Sequence, residues 1–341
     1  MLLPKKLEPR YIEWNKKWGA PFGRRPANLR VHDLRGRMTA ADEALLAETG
    51  MFSVQPTNDT RTIEYPWAYH AARLLTPMRI LEVGGGLSGF QFVLSREGHA
   101  VDNVDPGLDR LGWPVSQDAM HTLNRVFSTN VSLLKCGIEE AKLPIGAYDR
   151  AFCLSVIEHL PLDEARRGLK IIHRALKPDG LLIVTLDLFL DLIPFSRRSK
   201  NQWGCNQVVT DLIDSSQFEI VQGNQRELLG FPEFDVQEVM GKLDQYFLGS
   251  FHPVLAQAMV LRPVGRNSGP VPSPKSSGSM LHFWLITDFS IDPQKSSSQT
   301  HVAQVIGALL KAGHRVSYGY LFGEQQHYAV SVINLANRPP N

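Results

Sequence analysis

The sequence predicts an α/β fold built on a doubly wound, mainly parallel sheet. A short apolar run, Arg79–Val83, has the pattern of a strand that is covered on both faces. The glycine-rich turn that follows it contains Gly84, Gly86 and Gly89 in the spacing G-x-G-x-x-G, which leaves the backbone bare where a ligand can approach. A helix opening after such a turn points free N–H groups at a ligand, so we expect the chemistry at the carboxyl ends of the strands.

A second strand is predicted after Gly98, and it ends in Asp105. This acid lies 21 residues beyond Gly84, about where a carboxylate accepts both hydroxyls of a ribose. An Asx turn with Pro106 is the alternative role for its side chain. The glycine pattern alone does not identify the ligand, because nicotinamide, flavin and S-adenosylmethionine sites all use it.

Two later segments continue the alternation of strands and helices. Tyr148–Leu160 is an apolar strand that runs into a polar tip, and Leu176–Thr185 reads as a helix end, a tight turn and a fifth strand. The segment between them predicts a helix packed on the sheet, because its apolar residues recur at helical spacing. Those residues are Leu162, Ala165, Leu169, Ile172 and Leu176.

Together these motifs, in this order over residues 60 to 262, resemble the class I S-adenosylmethionine-dependent methyltransferases, in particular the branch that acts on small molecules. The resemblance implies a seven-stranded Rossmann-like sheet with a reversed last strand, S-adenosylmethionine as cofactor, and methyl transfer to a small-molecule acceptor. The predicted last strand is Ala256–Arg262. A nicotinamide oxidoreductase is disfavoured, because the sequence has no Tyr-x-x-x-Lys pair.

The resemblance also implies which residues bind the cofactor. Glu82 and the glycine backbone are expected at its amino-acid end, Asp105 at the ribose, and the residues after the third strand at the adenine. The expected set is Glu82, Gly84, Gly86, Gly89, Asp105, Ile138, Glu139 and Ser155. One departure stands out, since Gly137 occupies the position where related proteins commonly carry the acid that contacts adenine. A non-catalytic binding module that has lost its cofactor is therefore the alternative function.

The polar tip of the fourth strand holds Ser155, Glu158 and His159. We expect His159 to be the catalytic base that takes a proton from the acceptor, because the pKa of an imidazole lies near neutrality. The alternative is a strand-to-helix connection whose polar groups satisfy the backbone. A basic stretch with Arg197, Arg198 and Lys200 either steers an anionic acceptor or is a solvated charge cluster.

Composition is consistent with a cytoplasmic enzyme. The hydrophobic fraction of 43% is ample for a core, and the net charge of +2 indicates no nucleic-acid partner. The cysteines, Cys136, Cys153 and Cys205, are odd in number and widely spaced, so neither a disulfide framework nor a metal site is expected. The most apolar run is no membrane span, because Asp187 and Asp191 interrupt it. The oligomeric state is left open.

The chain is predicted to have four parts. These are an N-terminal extension or lid (1–60), the methyltransferase domain (61–262), a linker rich in Pro, Ser and Gly (263–280), and a C-terminal unit (281–341). The C-terminal unit has a strand–helix–strand pattern, with the helix over 302–310.

This unit resembles the truncated start of a glycosyltransferase with two facing Rossmann-like halves, and an unrelated βαβ unit is the alternative. If the first interpretation holds, the acceptor is a sugar or glycan precursor with a reactive hydroxyl or carboxylate. Tyr65, Trp67 and Tyr69 precede the glycine motif and either line the pocket or pack in the core.

Overall fold

The computed structural model describes residues 1–24, 39–55, 57–75, 77–107 and 115–265, and the backbone of the strands at 282–287, 315–322 and 329–334. The chain divides into two compact units, Met1–Arg266 and Asn267–Asn341.

The first unit alternates helices and strands. Its helices are α1 (Pro9–Trp18), α2 (Ala40–Thr49), α3 (Arg61–Ala71), α4 (Gly89–Arg96), α5 (Gln117–Phe127), α6 (Leu162–Ala175), α7 (Val209–Ser216) and α8 (Val236–Gly241). Its strands are β1 (Arg79–Val83), β2 (Ala100–Val104), β3 (Val131–Leu134), β4 (Tyr148–Leu154), β5 (Leu176–Phe189), β6 (Phe218–Gln222) and β7 (Val254–Pro263).

These strands form one seven-stranded sheet in the order β3-β2-β1-β4-β5-β7-β6. The pairs from β3 through β5 are parallel, whereas β7 runs antiparallel to both β5 and β6. The predicted doubly wound sheet with a reversed last strand is confirmed. The chain runs from β1 through β2 to β3 on one side of the sheet and then returns to β4 on the other side of β1. The switch point therefore lies between β1 and β4, where open α/β sheets bind ligands.

Apolar side chains cover both faces of the sheet. In β1 the alternation of a strand sends Ile80 into one apolar cluster and Leu81 into the other. Phe90 of α4 lies in the first cluster, and Leu169 of α6 lies in the second. The helices therefore fix the sheet from both sides and leave the strand ends to carry polar groups.

The predicted tight turn lies at Lys177–Gly180 within β5, where the position of a Cβ on Gly180 is 2.9 Å from the Lys177 carbonyl oxygen. Helix α6 ends at Ala175, and β5 begins at once with Leu176. Tyr148 pairs with Leu176, and Arg150 pairs with Leu181, so the register shifts between them. The extra residues are absorbed as a bulge in β5, because both flanking residues already pair with β4.

The first residues of the chain also join the sheet region. Leu2 forms an antiparallel bridge with Gln257, and the Leu3 N–H donates to the Ala256 carbonyl at 3.0 Å. Helix α2 begins after Thr39, with a capping box between Thr39 and Asp42.

The aromatic residues of α3 pack into the core. Tyr65 and Trp67 are buried, and the Tyr65 ring stacks on Phe90 with a centroid distance of 5.4 Å. The Tyr69 hydroxyl donates to Glu97 Oε2 at 2.5 Å. These contacts agree with the core-packing interpretation of the three side chains.

The second unit contains β8 (His282–Thr287), β9 (Arg315–Phe322) and β10 (Ala329–Asn334) in the order β10-β9-β8. β8 and β9 are parallel, as predicted for a strand–helix–strand unit, and β10 adds an antiparallel strand that the sequence pattern did not predict. The helix predicted over 302–310, and the linker from residue 266 onward, lie outside the described residues. The glycosyltransferase resemblance stays a prediction.

Candidate active site

The glycine-rich loop connects β1 to α4 at the switch point of the sheet. Gly84 and Gly86 have φ values of +66° and +56°, which lie in the left-handed region that favours glycine. A Cβ on Gly84 would lie 2.7 Å from Cγ2 of Val156, in the segment that follows β4. Both the backbone conformation and the close approach of this segment therefore require glycine at position 84.

The N–H groups of this loop are held by acceptors within the protein. The donors and acceptors are Gly84 N to Val104 O at 2.8 Å, Gly85 N to Asn103 Oδ1 at 3.2 Å, Gly86 N to Asp105 Oδ2 at 2.9 Å, and Leu87 N to Gln55 Oε1 at 2.6 Å. Side chains from β2 and from the segment before α3 thus fix the loop. Gly89 opens α4 and packs tightly, since a Cβ there would lie 2.6 Å from the Phe52 ring.

Asp105 follows β2 and lies beside the glycine loop, as predicted. Its carboxylate accepts the N–H of Gly86 through Oδ2 and the N–H of Gly107 through Oδ1, the latter at 2.7 Å. The second bond closes an Asx turn, which was the alternative role of this residue. Each carboxylate oxygen has further acceptor capacity, so ribose binding is compatible with the turn and stays a prediction.

Glu82 lies under the loop and is 3% exposed. Its Oε2 has no hydrogen-bond partner among the described residues, and burial raises its pKa to about 8. A buried carboxyl oxygen without a donor is costly unless a ligand supplies one. The residues present therefore fit a ligand whose ammonium group donates to Glu82 beside a bare glycine backbone.

Burial of Glu82 predicts a pH dependence of stability. Between the ordinary pKa of 4.5 and the folded value of about 8, the folded state keeps a proton that the unfolded state releases. The free energy of unfolding therefore falls as the pH rises through this window, by up to about 1.4 kcal/mol per pH unit for this group. We expect Glu82→Gln to remove this contribution, so that the variant gains stability relative to the wild type as the pH rises.

Urea unfolding at pH 5 and pH 8 measures this difference. Glu140→Gln, a change of an exposed acid to its amide, is the control. The same decline of stability with pH in Glu82→Gln and in the wild type would contradict a buried, unpartnered Glu82.

The residues after β3 lie near each other but point differently. Ile138 is buried, and its Cγ2 would lie 2.6 Å from a Cβ on Gly168 of α6, so it packs against that helix. The Glu139 carboxylate folds back over Gly137, with Oε1 2.5 Å and Oε2 2.7 Å from the position of a Cβ there. The carboxylate of Glu139 thus fills the space that the missing side chain at position 137 leaves. Adenine contacts from both residues stay predictions.

His159 is exposed, and its Nδ1 contacts the carbonyl oxygen of Trp203. Its neighbour Glu158 is 1% exposed. The two polar residues at this tip therefore differ sharply in environment, and the role of His159 as a base stays a prediction.

A buried polar cluster that the sequence analysis missed lies at the carboxyl ends of β4 and β5. Its centre is Glu64 of α3, which is fully buried and pairs with Arg61 at 2.5 Å. Glu64 Oε2 also accepts the hydroxyls of Thr185 at 2.6 Å and Ser155 at 2.9 Å. Burial opposes ionisation of this carboxyl, but Arg61 and the hydroxyls outweigh it and hold the pKa of Glu64 below its usual value.

Ser155 links this ion pair to two further acids. It has a φ of +50°, a strained conformation for a residue other than glycine, and its Oγ lies 3.2 Å from Asp187 Oδ1. The N–H of Asp187 donates to Glu158 Oε1 at 3.1 Å, whereas Glu158 Oε2 has no partner among the described residues. Burial, together with Asp187, raises the pKa of Glu158, and burial together with Glu64 raises that of Asp187 to about 7.

His252 precedes β7 and lies between two aromatic rings. Its ring centroid is 5.4 Å from that of Trp203 and 5.5 Å from that of Phe189 at the end of β5. Both ring nitrogens are buried without partners among the described residues, and burial lowers the pKa of this imidazole. His252 therefore adds unpartnered polar atoms to the same end of the sheet.

One signal in the sequence pointed to this cluster. Asp187 interrupts an otherwise apolar run, and an acid within a buried strand usually has a specific role. Glu64 and His252 had no such signal, because Thr185, Ser155 and Trp203, which contact them, lie far away in the sequence. Arg61 pairs with Glu64 three residues later, but this spacing alone does not indicate burial.

The opposite edge of the sheet carries a cavity of about 550 Å³, lined in part by His99, Asp102 and Asn130. It lies at the amino ends of β2 and β3, whereas ligands of open α/β sheets bind at the carboxyl ends. We therefore place the candidate site at the glycine loop.

Within the described ranges, no group of three or more His, Cys, Asp or Glu could hold a metal ion, and no helix there has the length and apolarity needed to cross a membrane.

The sheet order, the glycine loop and the buried acid at the end of β1 are the features of a candidate nucleotide-type cofactor site at the switch point. Residues 61–216 match the family model of a methyltransferase domain. This match identifies residues 61–216 as a methyltransferase domain, and it supports S-adenosylmethionine-dependent methyl transfer with S-adenosylmethionine as the cofactor.

Solved structures share this fold at low identity. The 1,6-didemethyltoxoflavin-N1-methyltransferase of Burkholderia thailandensis is 18% identical, and the match covers 58% of this chain and 74% of that one with a TM-score of 0.39. An S-adenosylmethionine-dependent methyltransferase of Mesorhizobium loti is 16% identical, with 58% and 97% covered and a TM-score of 0.41. A cyclase, SpnF, is 19% identical, with 72% and 90% covered and a TM-score of 0.43. No curated protein matches this sequence.

Proposed function

We propose that this chain transfers the methyl group of S-adenosylmethionine to a small-molecule acceptor bound at the carboxyl ends of β1, β4 and β5. The observation that carries the proposal is Glu82, whose buried carboxyl oxygen lacks a donor directly beside the bare glycine loop. The cofactor supplies an activated methyl group on a sulfonium. The protein then has to orient the two reactants and exclude water.

The residues around the loop have complementary chemistry for the parts of the cofactor. Glu82 accepts hydrogen bonds from the ammonium of the amino-acid end, and the backbone at Gly84 and Gly86 lets that end approach. Asp105 accepts the ribose hydroxyls while it keeps its bonds to the loop. Glu139 accepts the adenine amino group. This last role is supported by the position of its carboxylate over Gly137.

Ile138, Gly89 and Ser155 have supporting roles in this proposal. Ile138 packs beside the adenine region, Gly89 allows α4 to begin close to the loop, and Ser155 positions the end of β4. Ser155 reaches the site through its contacts with Glu64 and Asp187.

For the acceptor, we propose a sugar or glycan precursor that is methylated on a hydroxyl or a carboxylate. The support for a sugar is the glycosyltransferase-like pattern of the second unit. Two buried acids, Glu158 and Asp187, favour the hydroxyl over the carboxylate, because a third carboxylate nearby would be repelled. His159 is the proposed base for an acceptor that approaches from the exposed side of the tip.

Calorimetric titration with S-adenosylhomocysteine, with NAD as the comparison ligand, tests the proposal. We expect micromolar binding of the former alone. The Asp105→Asn variant should bind at least about tenfold more weakly, because one carboxamide oxygen cannot serve two backbone N–H groups and two ribose hydroxyls. Asp102→Asn is the matched control, since Asp102 lies on β2, which Asp105 follows, but contacts Arg79 and Tyr148.

Each other outcome has a definite meaning. Binding of NAD alone would identify an oxidoreductase instead. Binding of neither ligand would favour the non-catalytic module. Wild-type affinity in Asp105→Asn would show that the ribose position is wrong.

A further inference from the structure

We propose that Glu158 and Asp187 form a binding site for a positively charged ligand group, either the methyl sulfonium of the cofactor or an ammonium group of the acceptor. The inference rests on the proposed function, because it concerns the same end of the sheet. It adds that the ligand group bound at this end of the sheet carries a positive charge.

The geometry holds the two acids together. Asp187 donates its N–H to Glu158 Oε1 at 3.1 Å, and its Oδ1 lies 3.2 Å from Ser155 Oγ. Glu158 is 1% exposed and Asp187 is 5% exposed. Both carboxyl groups therefore lie in a site largely closed to water, where an approaching charge is weakly screened.

The hydrogen bonds of Glu158 differ from those of Glu64, which pairs with Arg61. Glu64, in the same cluster, is fully served by Arg61, Thr185 and Ser155. Glu158 Oε2, equally buried, has no donor from the described residues. A carboxyl that served only the fold would be expected to have a donor as Glu64 does, because leaving it without one is costly.

The charges that face the pair come from α3. Arg61 acts on both acids and Glu64 acts on Asp187, and these two residues pair with each other. The Cys205 thiol lies 3.9 Å from the backbone carbonyl oxygen of Glu158. Burial raises the pKa of this thiol, and the positive charge of Lys200 opposes that effect. With Arg61 bound to Glu64, the acids Glu158 and Asp187 have no counter-charge in direct contact among the described residues. A cation fits this site, and an anionic group is repelled.

A proton link makes the proposal measurable. Burial raises the pKa of both acids, that of Asp187 to about 7, so Asp187 is partly protonated near neutral pH. A cation placed beside the pair favours its ionised form and releases a proton. S-adenosylmethionine and S-adenosylhomocysteine differ by one charged methyl group, which isolates the effect of the sulfonium.

The experiment is calorimetry at pH 7 in two buffers of different ionisation enthalpy, whose difference gives the number of protons released. We expect S-adenosylmethionine to release about half to one proton more than S-adenosylhomocysteine if the sulfonium is the ligand cation. If the acceptor supplies the cation, methylammonium chloride titrated into protein saturated with S-adenosylhomocysteine should release that proton instead. If neither titration releases this proton, the proposal is overturned.

Variants identify the groups responsible. Glu158→Gln and Asp187→Asn keep the size of each side chain, and either should abolish the proton release, whereas Glu140→Gln at the surface should not. Circular dichroism verifies that each variant is folded. Proton release that persists in both folded variants would also overturn the proposal.

The two proposals can fail separately. If S-adenosylhomocysteine binds but no cation-linked proton release is seen, the proposed function stands and this inference falls. If S-adenosylhomocysteine does not bind, the proposed function falls. Methylammonium titrated into the free protein then tests the acid pair by itself.

Discussion

Replacing Arg61 with leucine should lower the free energy of unfolding by about 3 to 5 kcal/mol, the usual cost of leaving a buried charge without its partner. Glu64 is 0% exposed in its side chain, and Arg61 is its counter-ion at 2.5 Å. The hydroxyls of Thr185 and Ser155 remain in the variant, but they carry no charge. Urea denaturation followed by circular dichroism measures the loss.

Two further variants test this explanation. The double variant Arg61→Leu with Glu64→Leu removes both charges, so we expect it to recover much of the loss. Arg125→Ala breaks the ion pair with Glu43, in which the Arg125 side chain is 62% exposed, and should cost less than about 1 kcal/mol. Equal losses in Arg61→Leu and Arg125→Ala would contradict the importance of burial.

Replacing Gly84 with alanine should abolish binding of S-adenosylhomocysteine and destabilise the protein by about 2 to 5 kcal/mol. The left-handed conformation contributes about 1 to 2 kcal/mol, and the contact with Val156 at 2.7 Å adds about 1 to 3 kcal/mol of overpacking. Binding is lost because the loop can relieve the contact only by moving away from Val156.

Gly265→Ala is the matched control for this change. Gly265 also has a positive φ, +74°, but a Cβ there meets nothing within 4 Å. We expect it to show the conformational cost alone and unchanged ligand binding. If Gly84→Ala cost no more than Gly265→Ala, the close approach of Val156 would have no energetic importance.

Much of the first unit follows from local sequence patterns. The strand β1, the glycine turn and Asp105 are contiguous in the sequence, so their spacing predicted both the elements and the candidate cofactor residues. The bulge in β5 could not be predicted in this way. It depends on how Tyr148 and Arg150 pair with β5, and a Lys-Pro-Asp-Gly sequence favours a turn when read alone.

The buried acid cluster could not be predicted from local patterns at all. Its bonds join distant positions, such as Thr185 to Glu64 across 121 residues. The pKa values of these acids depend on burial, and burial depends on the packed α3. Only Asp187 departed visibly from its surroundings, as an acid inside an apolar run.

The pairing of the first residues with β7 also has a consequence for folding during synthesis. The N–H of Leu3 bonds to Ala256, and Leu2 bridges Gln257, so residues that are synthesised long before β7 pair with that strand. Their other hydrogen-bond partners, Glu227 and Phe247, also lie late in the sequence. Residues Leu2 and Leu3 are therefore expected to stay unpaired until β7 has been synthesised. Their pairing with β7 then marks the completion of the first unit.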